Sequence, residues 1–230
     1  MFSFDHVHLW APDQGEACAW YVRHLGAVPG AQPDRVLIGD ERWLIFFKGA
    51  AEDSRDSVLD RIGFSVERVD GVAADIASAG GSVIAAPHDA GPFRTAIVAD
   101  PWGSRLMLVD DPAVRGFHHM HLSVSQPART LAWFAQMFGG ERASLAGRFD
   151  GIRYGSAWLL SDAGAGQPSA GRAIDHLAWR APHLDTAAAA LRAQGIPFTM
   201  EPKDFNPATR ISFVEGPEGI RLEVLERRQT

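Results

Sequence analysis

The feature that most constrains this chain is that it repeats itself. Phe4-Asp-His-Val-His-Leu-Trp10 returns as Phe117-His-His-Met-His-Leu-Ser123, and each is followed, after a Pro-containing turn, by a helix-like run. Those runs hold Ala19-Trp-Tyr-Val-Arg-His-Leu-Gly26 and Ala132-Trp-Phe-Ala-Gln-Met-Phe-Gly139, in the same phase as the opening strands. A second pair follows, Asp60-Arg-Ile-Gly-Phe-Ser-Val66 against Asp175-His-Leu-Ala-Trp-Arg-Ala181, and each leads into an Ala-rich stretch that ends at Gly. Both halves close alike, on Asp100-Pro-Trp-Gly-Ser-Arg-Leu-Met-Leu-Val109 and Gly216-Pro-Glu-Gly-Ile-Arg-Leu-Glu-Val-Leu225. Repeats of this length are supersecondary units that bury their apolar faces only against one another. The pattern predicts two halves, 1–112 and 116–230, each of two units. Every unit opens with an alternating strand, passes through an amphipathic helix and returns as several short strands, an α+β organisation. A loop rich in Gly and Ala, residues 163–171, separates the third unit from the fourth.

Alternation decides which side chains carry chemistry, because successive residues of a strand point to opposite faces. In the first strand Val7, Leu9 and Ala11 form the packing face, which leaves His6, His8 and Trp10 on the other. In the third unit Met120, Leu122 and Val124 pack, so His119, His121 and Ser123 face away from the helix. By the same rule His176 and Glu223 stand on the non-packing faces of the fourth unit's first and last strands. The expected metal ligands are therefore His119, His176 and Glu223, all from the second half. Two imidazoles and a carboxylate with positions left open is a set used by non-haem Fe(II) oxygenases, and it also suits Zn²⁺, Mn²⁺ or Ni²⁺ as a Lewis acid. At the matching positions the first half has His6, Arg61 and Met107. A guanidinium and a thioether do not replace an imidazole and a carboxylate, so the N-terminal domain is expected to be free of metal.

Together these unit openings and closings resemble the vicinal-oxygen-chelate superfamily of glyoxalases, bleomycin-resistance proteins and extradiol dioxygenases, over nearly the whole chain. The resemblance implies four βαβββ modules paired into two domains, each an open curved mixed β-sheet cup with helices outside. It implies a metal-dependent enzyme whose small, oxygen-rich substrate chelates a divalent ion through neighbouring oxygens. Four units in one chain resemble the extradiol dioxygenases, which favours Fe(II). A lyase, isomerase or hydrolase using Zn, Mn or Ni is the alternative, and a drug-sequestering binding protein is a third. The segment 153–160, where glyoxalase-type isomerases place a further ligand, holds no carboxylate, and Val214 stands where extradiol enzymes have Tyr.

Other positions fill supporting roles. His121, two residues from a proposed ligand, is a candidate acid/base, Tyr154 a candidate hydrogen-bond donor to substrate, and Arg210 a candidate anion-binding group. The net charge of −6, with Arg227-Arg228 as the one basic cluster and read as a solvated tail, argues against nucleic acid. Cys18 is the single cysteine, which excludes a disulfide framework and a thiolate cluster. With no targeting or membrane-length apolar run, the expected location is cytoplasmic. The expected partners are a small-molecule substrate and, as one option, a second copy in a homodimer, with neither nucleic acid nor membrane.

Overall fold

In a computed structural model that describes residues 2–39 and 42–228, the alternation of the opening segment makes strand β1 (Ser3–Ala11). Helix α1 (Gln14–Leu25) starts where the Asp13 side chain accepts from Glu16 N at 2.9 Å. It stops at Gly26, whose φ of 67° is left-handed backbone open to glycine at no steric cost. Strands β2 (Val28–Pro29), β3 (Arg35–Ile38) and β4 (Arg42–Lys48) complete the first unit. The second unit is β5 (Leu59–Ser65), α2 (Val69–Ser78), β6 (Ser82–Ala90), β7 (Phe93–Ala99) and β8 (Arg105–Val109). The third is β9 (Gly116–Val124), α3 (Pro127–Phe138), β10 (Glu141–Leu145), β11 (Phe149–Tyr154) and β12 (Ala157–Ala163). The fourth is β13 (Ile174–Arg180), α4 (Leu184–Ala193), β14 (Phe198–Asn206), β15 (Thr209–Glu215) and β16 (Arg221–Arg227). All four units are thus βαβββ modules.

The units pair across the halves rather than within them. One eight-stranded mixed sheet runs β14-β15-β16-β13-β1-β4-β3-β2, joining the first unit to the fourth. The other runs β10-β11-β12-β9-β5-β8-β7-β6, joining the second to the third. The expectation of one cup per half, with domains 1–112 and 116–230 each closing its own sheet, is corrected by this order. The physical hinge is the antiparallel pairing of opening strands. β1 lies against β13 with His8 opposite His176, and β5 lies against β9 with Gly63 opposite His119. The chain crosses between sheets twice, and the crossings bridge each other at Glu52–Arg172 and Ser57–Gln167.

Each sheet turns one face to helices and keeps the other open. The helix-side faces share one apolar core, in which Phe4 stacks on Phe117 at 5.9 Å. Trp179 of β13 packs under α3, 4.6 Å from Phe138 and 5.7 Å from Phe134. The open faces carry separate small clusters: Ala178, Ile211, Phe213 and Leu225 in the first sheet, Leu145, Trp158 and Leu160 in the second. Each open face therefore has its own apolar wall. Among the described residues, no helix is long and apolar enough to cross a membrane.

Candidate metal centre

Four potential ligands meet on the open face of the first sheet: His6, His8, His176 and Glu223, all buried, with donor atoms within 4.8 Å of one another. His6 and His8 come from β1, whose pairing with β13 shifts register just before and just after the His6–His8 stretch. Such irregularities re-aim side chains next to functional sites. Glu223 sits on β16 opposite Ala178, the neighbour of His6 across the β1–β13 ladder. The parallel register of β13 and β16 thus brings the carboxylate to the imidazoles.

Each of two imidazoles is held from behind by the residue that precedes it. His6 Nδ1 lies 2.8 Å from Asp5 Oδ1, and His176 Nδ1 lies 2.6 Å from Asp175 Oδ1. Those carboxylates are anchored in turn by arginines. Arg227 donates to Asp5 at 2.6 and 3.2 Å, and Arg221 donates to Asp175 at 2.9 Å. Asp175 also accepts from Gly171 N at 2.7 Å and from Trp10 Nε1 at 3.1 Å. An imidazole whose Nδ1–H is committed to a carboxylate presents a bare Nε2, the orientation that a metal ligand needs. Arg227, expected in a solvated tail, is instead part of this support.

The Nε2 atoms converge on Glu223, with Oε2 at 3.1 Å from His6 and 3.3 Å from His176. The His176 contact has hydrogen-bond geometry, whereas the His6 contact is short yet misaligned, which leaves His6 Nε2 without a partner. His8 Nδ1 is likewise buried and unpartnered. Buried polar atoms are rarely left unsatisfied, and a cation among these atoms would satisfy all of them. Burial raises the Glu223 carboxyl, but its contacts with His176 and His6 outweigh that and hold it well below its ordinary range. Burial pushes His8 well below the usual histidine value, and the neighbouring His176 and His6 add to the shift. The ring is therefore neutral, as ligation requires. The donor set fits a borderline divalent ion such as Zn²⁺, Ni²⁺ or Fe²⁺. Phe47 stacks on His8 at 3.9 Å and Phe213 meets His176 edge-on at 4.9 Å, so the cluster is walled by aromatic rings.

Of the expected ligands, the structure brings His176 and Glu223 together and places His119 in the other sheet. His119 lies over Gly63, where an added Cβ would collide with its imidazole. Its Nδ1 is 2.8 Å from His118 Nδ1, and among the described residues no carboxylate is bonded to its ring. The assignment of His119 to this cluster is therefore corrected to His6, because the fourth unit pairs with the first and not the third. His121 belongs to the second open face, with Nε2 2.8 Å from Asp162 and 3.0 Å from Arg61. Tyr154 faces the shared core, 5.6 Å from Trp179, and so is not placed to touch a ligand of this cluster. Arg210 is tied to Asp185 of α4 at 2.7 and 3.0 Å, on the helix side of its sheet.

His6 and His8 are what reasoning on halves misses. The signal was present: His6 is the one ligand-type residue retained in the first half while Arg61 and Met107 replace the others. His6 and His119 occupy the same register, so either would complete a set with His176 and Glu223. Only the pairing of units decides between them.

The family model described as Glyoxalase/Bleomycin resistance protein/Dioxygenase superfamily matches residues 3–108 and again 116–224. No curated protein sequence matches the chain. Among solved structures, glyoxalase I from Zea mays superposes with a TM-score of 0.74 at 16% identity, covering 98% of this chain and 92% of that one. A Bacillus subtilis protein described as a "putative dioxygenase" gives 0.65 at 19% identity, covering 99% and 86%. At these identities the likeness shows the fold alone.

Proposed function

Because the chain belongs to the Glyoxalase/Bleomycin resistance protein/Dioxygenase superfamily, we propose that it is a metal-dependent enzyme acting on a small, oxygen-rich organic molecule. The observation that carries this reading is the buried cluster of His6, His8, His176 and Glu223 with two imidazole nitrogens left unpartnered. These residues would hold a divalent ion. Bound there, the ion would supply Lewis-acid stabilisation of negative charge on substrate oxygen. An ion that takes six ligands keeps positions beyond these four for two vicinal oxygens.

The remaining groups bind and orient. Phe47, Phe213 and the apolar wall of Ile211 and Leu225 exclude water and suit a flat or compact substrate. Asp5 and Asp175 fix the tautomers of His6 and His176, so these rings neither turn nor exchange roles during a turnover. The set supports proton-shifting chemistry of the lyase or isomerase kind, in which charge develops on an oxygen next to a carbon acid.

A second reading rests on the subset His6, His176 and Glu223, two imidazoles and a carboxylate of the oxygenase type. There His8 stays free of the metal and serves as acid or base, with iron as the ion. Metal analysis of His8→Ala distinguishes the two. Loss of bound ion supports the four-ligand reading. Full retention of iron, with oxygen consumed on a panel of catechols, supports the oxygenase. Wild-type protein that takes up no divalent ion at all would overturn both.

A further inference from the structure

Arg180 shares the open face of the first sheet with the metal cluster and takes no part in it. On β13 it follows His176 and Ala178 at alternate positions, so it stands on their face, about 7 Å along the strand from Ala178. Ala178 lies between the ligands, opposite His6 on β1 and Glu223 on β16. Arg180 has Ser3 and Leu225 as its own cross-strand neighbours. Its side chain is half-exposed. Among the described residues its guanidinium has a single ion-pair contact, Nε at 4.0 Å from Asp5.

Asp5 is brought there by a bulge. The β1–β13 pairing passes from Phe4 opposite Trp179 to His6 opposite Ala178, which makes Asp5 the extra residue. Its carboxylate meets His6 Nδ1, the Arg227 guanidinium and, at longer range, Arg180. Two guanidinia thus converge on a carboxylate that also holds a proposed metal ligand. A cleft of about 780 Å³ wraps this end of the sheet, with Ser3, Arg180 and Arg227 in its lining, and gives Arg180 room for a ligand group.

The second sheet is an internal control. Where the first has Arg180, Asp5 and Arg227, it has Ser65, His118 and Asp111. Ser65 is buried and donates to the Asp111 backbone oxygen at 2.9 Å. Of the two sheets, the one that carries the ligand cluster carries the half-exposed cation. Charge gives that cation a purpose. Around the cluster, Asp5, Asp175 and Glu223 balance Arg180, Arg221 and Arg227 one for one. A divalent ion held there would add two positive charges that this network does not oppose, and uncompensated charge in a partly buried site is costly. A negatively charged substrate removes that cost.

We propose that Arg180 is a specificity-determining residue, selecting a substrate that carries a carboxylate beyond its two metal-chelating oxygens. This deepens the function proposed above and rests on it. The planar guanidinium takes a carboxylate's two oxygens side by side, and nothing but the loose Asp5 contact has to be given up.

The probes are 3,4-dihydroxybenzoate and its neutral amide, 3,4-dihydroxybenzamide, which share the vicinal oxygens and differ in the distal charge. Zinc uptake by the full chain is measured first, and binding of each probe to the Zn²⁺-loaded protein follows by calorimetry. The acid should bind about ten- to a hundredfold tighter than the amide, the worth of a charge-assisted hydrogen bond. Arg180→Gln should bring the acid down to the level of the amide. The same variant should keep zinc and amide affinity within about twofold of wild type, as independent sites do. Its side chain is half-exposed, so the fold survives the change. A wild type that takes up no zinc would overturn the metal-dependent reading and this proposal with it. With zinc bound, equal affinity for acid and amide, binding of neither, or a preference that survives Arg180→Gln would overturn this proposal alone. Loss of zinc affinity in Arg180→Gln would do the same, by making the residue a support of Asp5.

Discussion

Asp175→Asn and Asp60→Asn make a matched pair, since the two carboxylates occupy the same register in the two sheets. Asp175 is fully buried and accepts from His176, Arg221, Gly171 N and Trp10. An amide keeps one acceptor oxygen but turns an N–H₂ group toward a donor and leaves Arg221 without its counter-charge. Breaking a buried charged network of this kind costs about 2–4 kcal/mol. For a chain of this size that lowers the melting temperature by roughly 5–15 °C. The same change frees the His176 ring, and outer carboxylates of this type are worth about 10–100-fold in metal affinity. Asp60 supports Arg61 and Arg105, no imidazole of the cluster. Asp60→Asn should therefore destabilise the protein while leaving metal affinity within about twofold. The assay is competition for Zn²⁺ against a chromophoric chelator, with thermal unfolding of the metal-free proteins alongside. Unchanged metal affinity in Asp175→Asn, or an equal loss in both variants, would refute the reasoning.

Three further outcomes follow from single contacts. Arg227→Gln removes the bidentate hold on Asp5 and should weaken metal binding about 3–10-fold, less than Asp5→Asn, in the same competition assay. Gly63→Ala pushes a methyl group into the His119 ring and should cost about 1–3 kcal/mol in denaturant unfolding, with metal content unaffected. Burial raises the Asp100 carboxyl from 3.8 to about 6, against the hydrogen bonds from Ser104 and Tyr21. A raised value in the fold means that its stability contribution is complete below pH 3.8 and lost as pH climbs through 6. Measured against Asp100→Asn, wild-type stability should fall by about 3 kcal/mol between pH 3.5 and 7. A gap that stays constant or widens would contradict this.

Much of the fold was legible because its signals are local. Alternation in Phe4–Trp10 and Phe117–Ser123 placed the histidines on the open faces, and Val7, Leu9, Met120 and Leu122 do pack in the core. The Ala-rich runs expected to stop at Gly80-Gly81 and at Gly195 are helices α2 and α4, which end at Ser78 and Ala193. The partnership of units was not legible, because it is decided by long-range pairing between opening strands of nearly identical pattern. β1 offers β13 the same alternating histidines that β9 offers β5, so the residues do not encode the choice in any local preference. The error over His119 follows from that alone. Tyr154 and Arg210 failed for a different reason: a polar tip on a strand says nothing of whether a helix lies over that face. Arg227 looked like a tail residue because its partner, Asp5, is at the other end of the chain.

The central claim is that the metal is held between the first strand and the last, so the most direct measurement is metal content per chain for His6→Ala and His119→Ala. Wild type and His119→Ala should each carry about one equivalent of divalent ion after dialysis, and His6→Ala should carry almost none. Retention by His6→Ala with loss in His119→Ala would contradict the account and return the site to the third and fourth units.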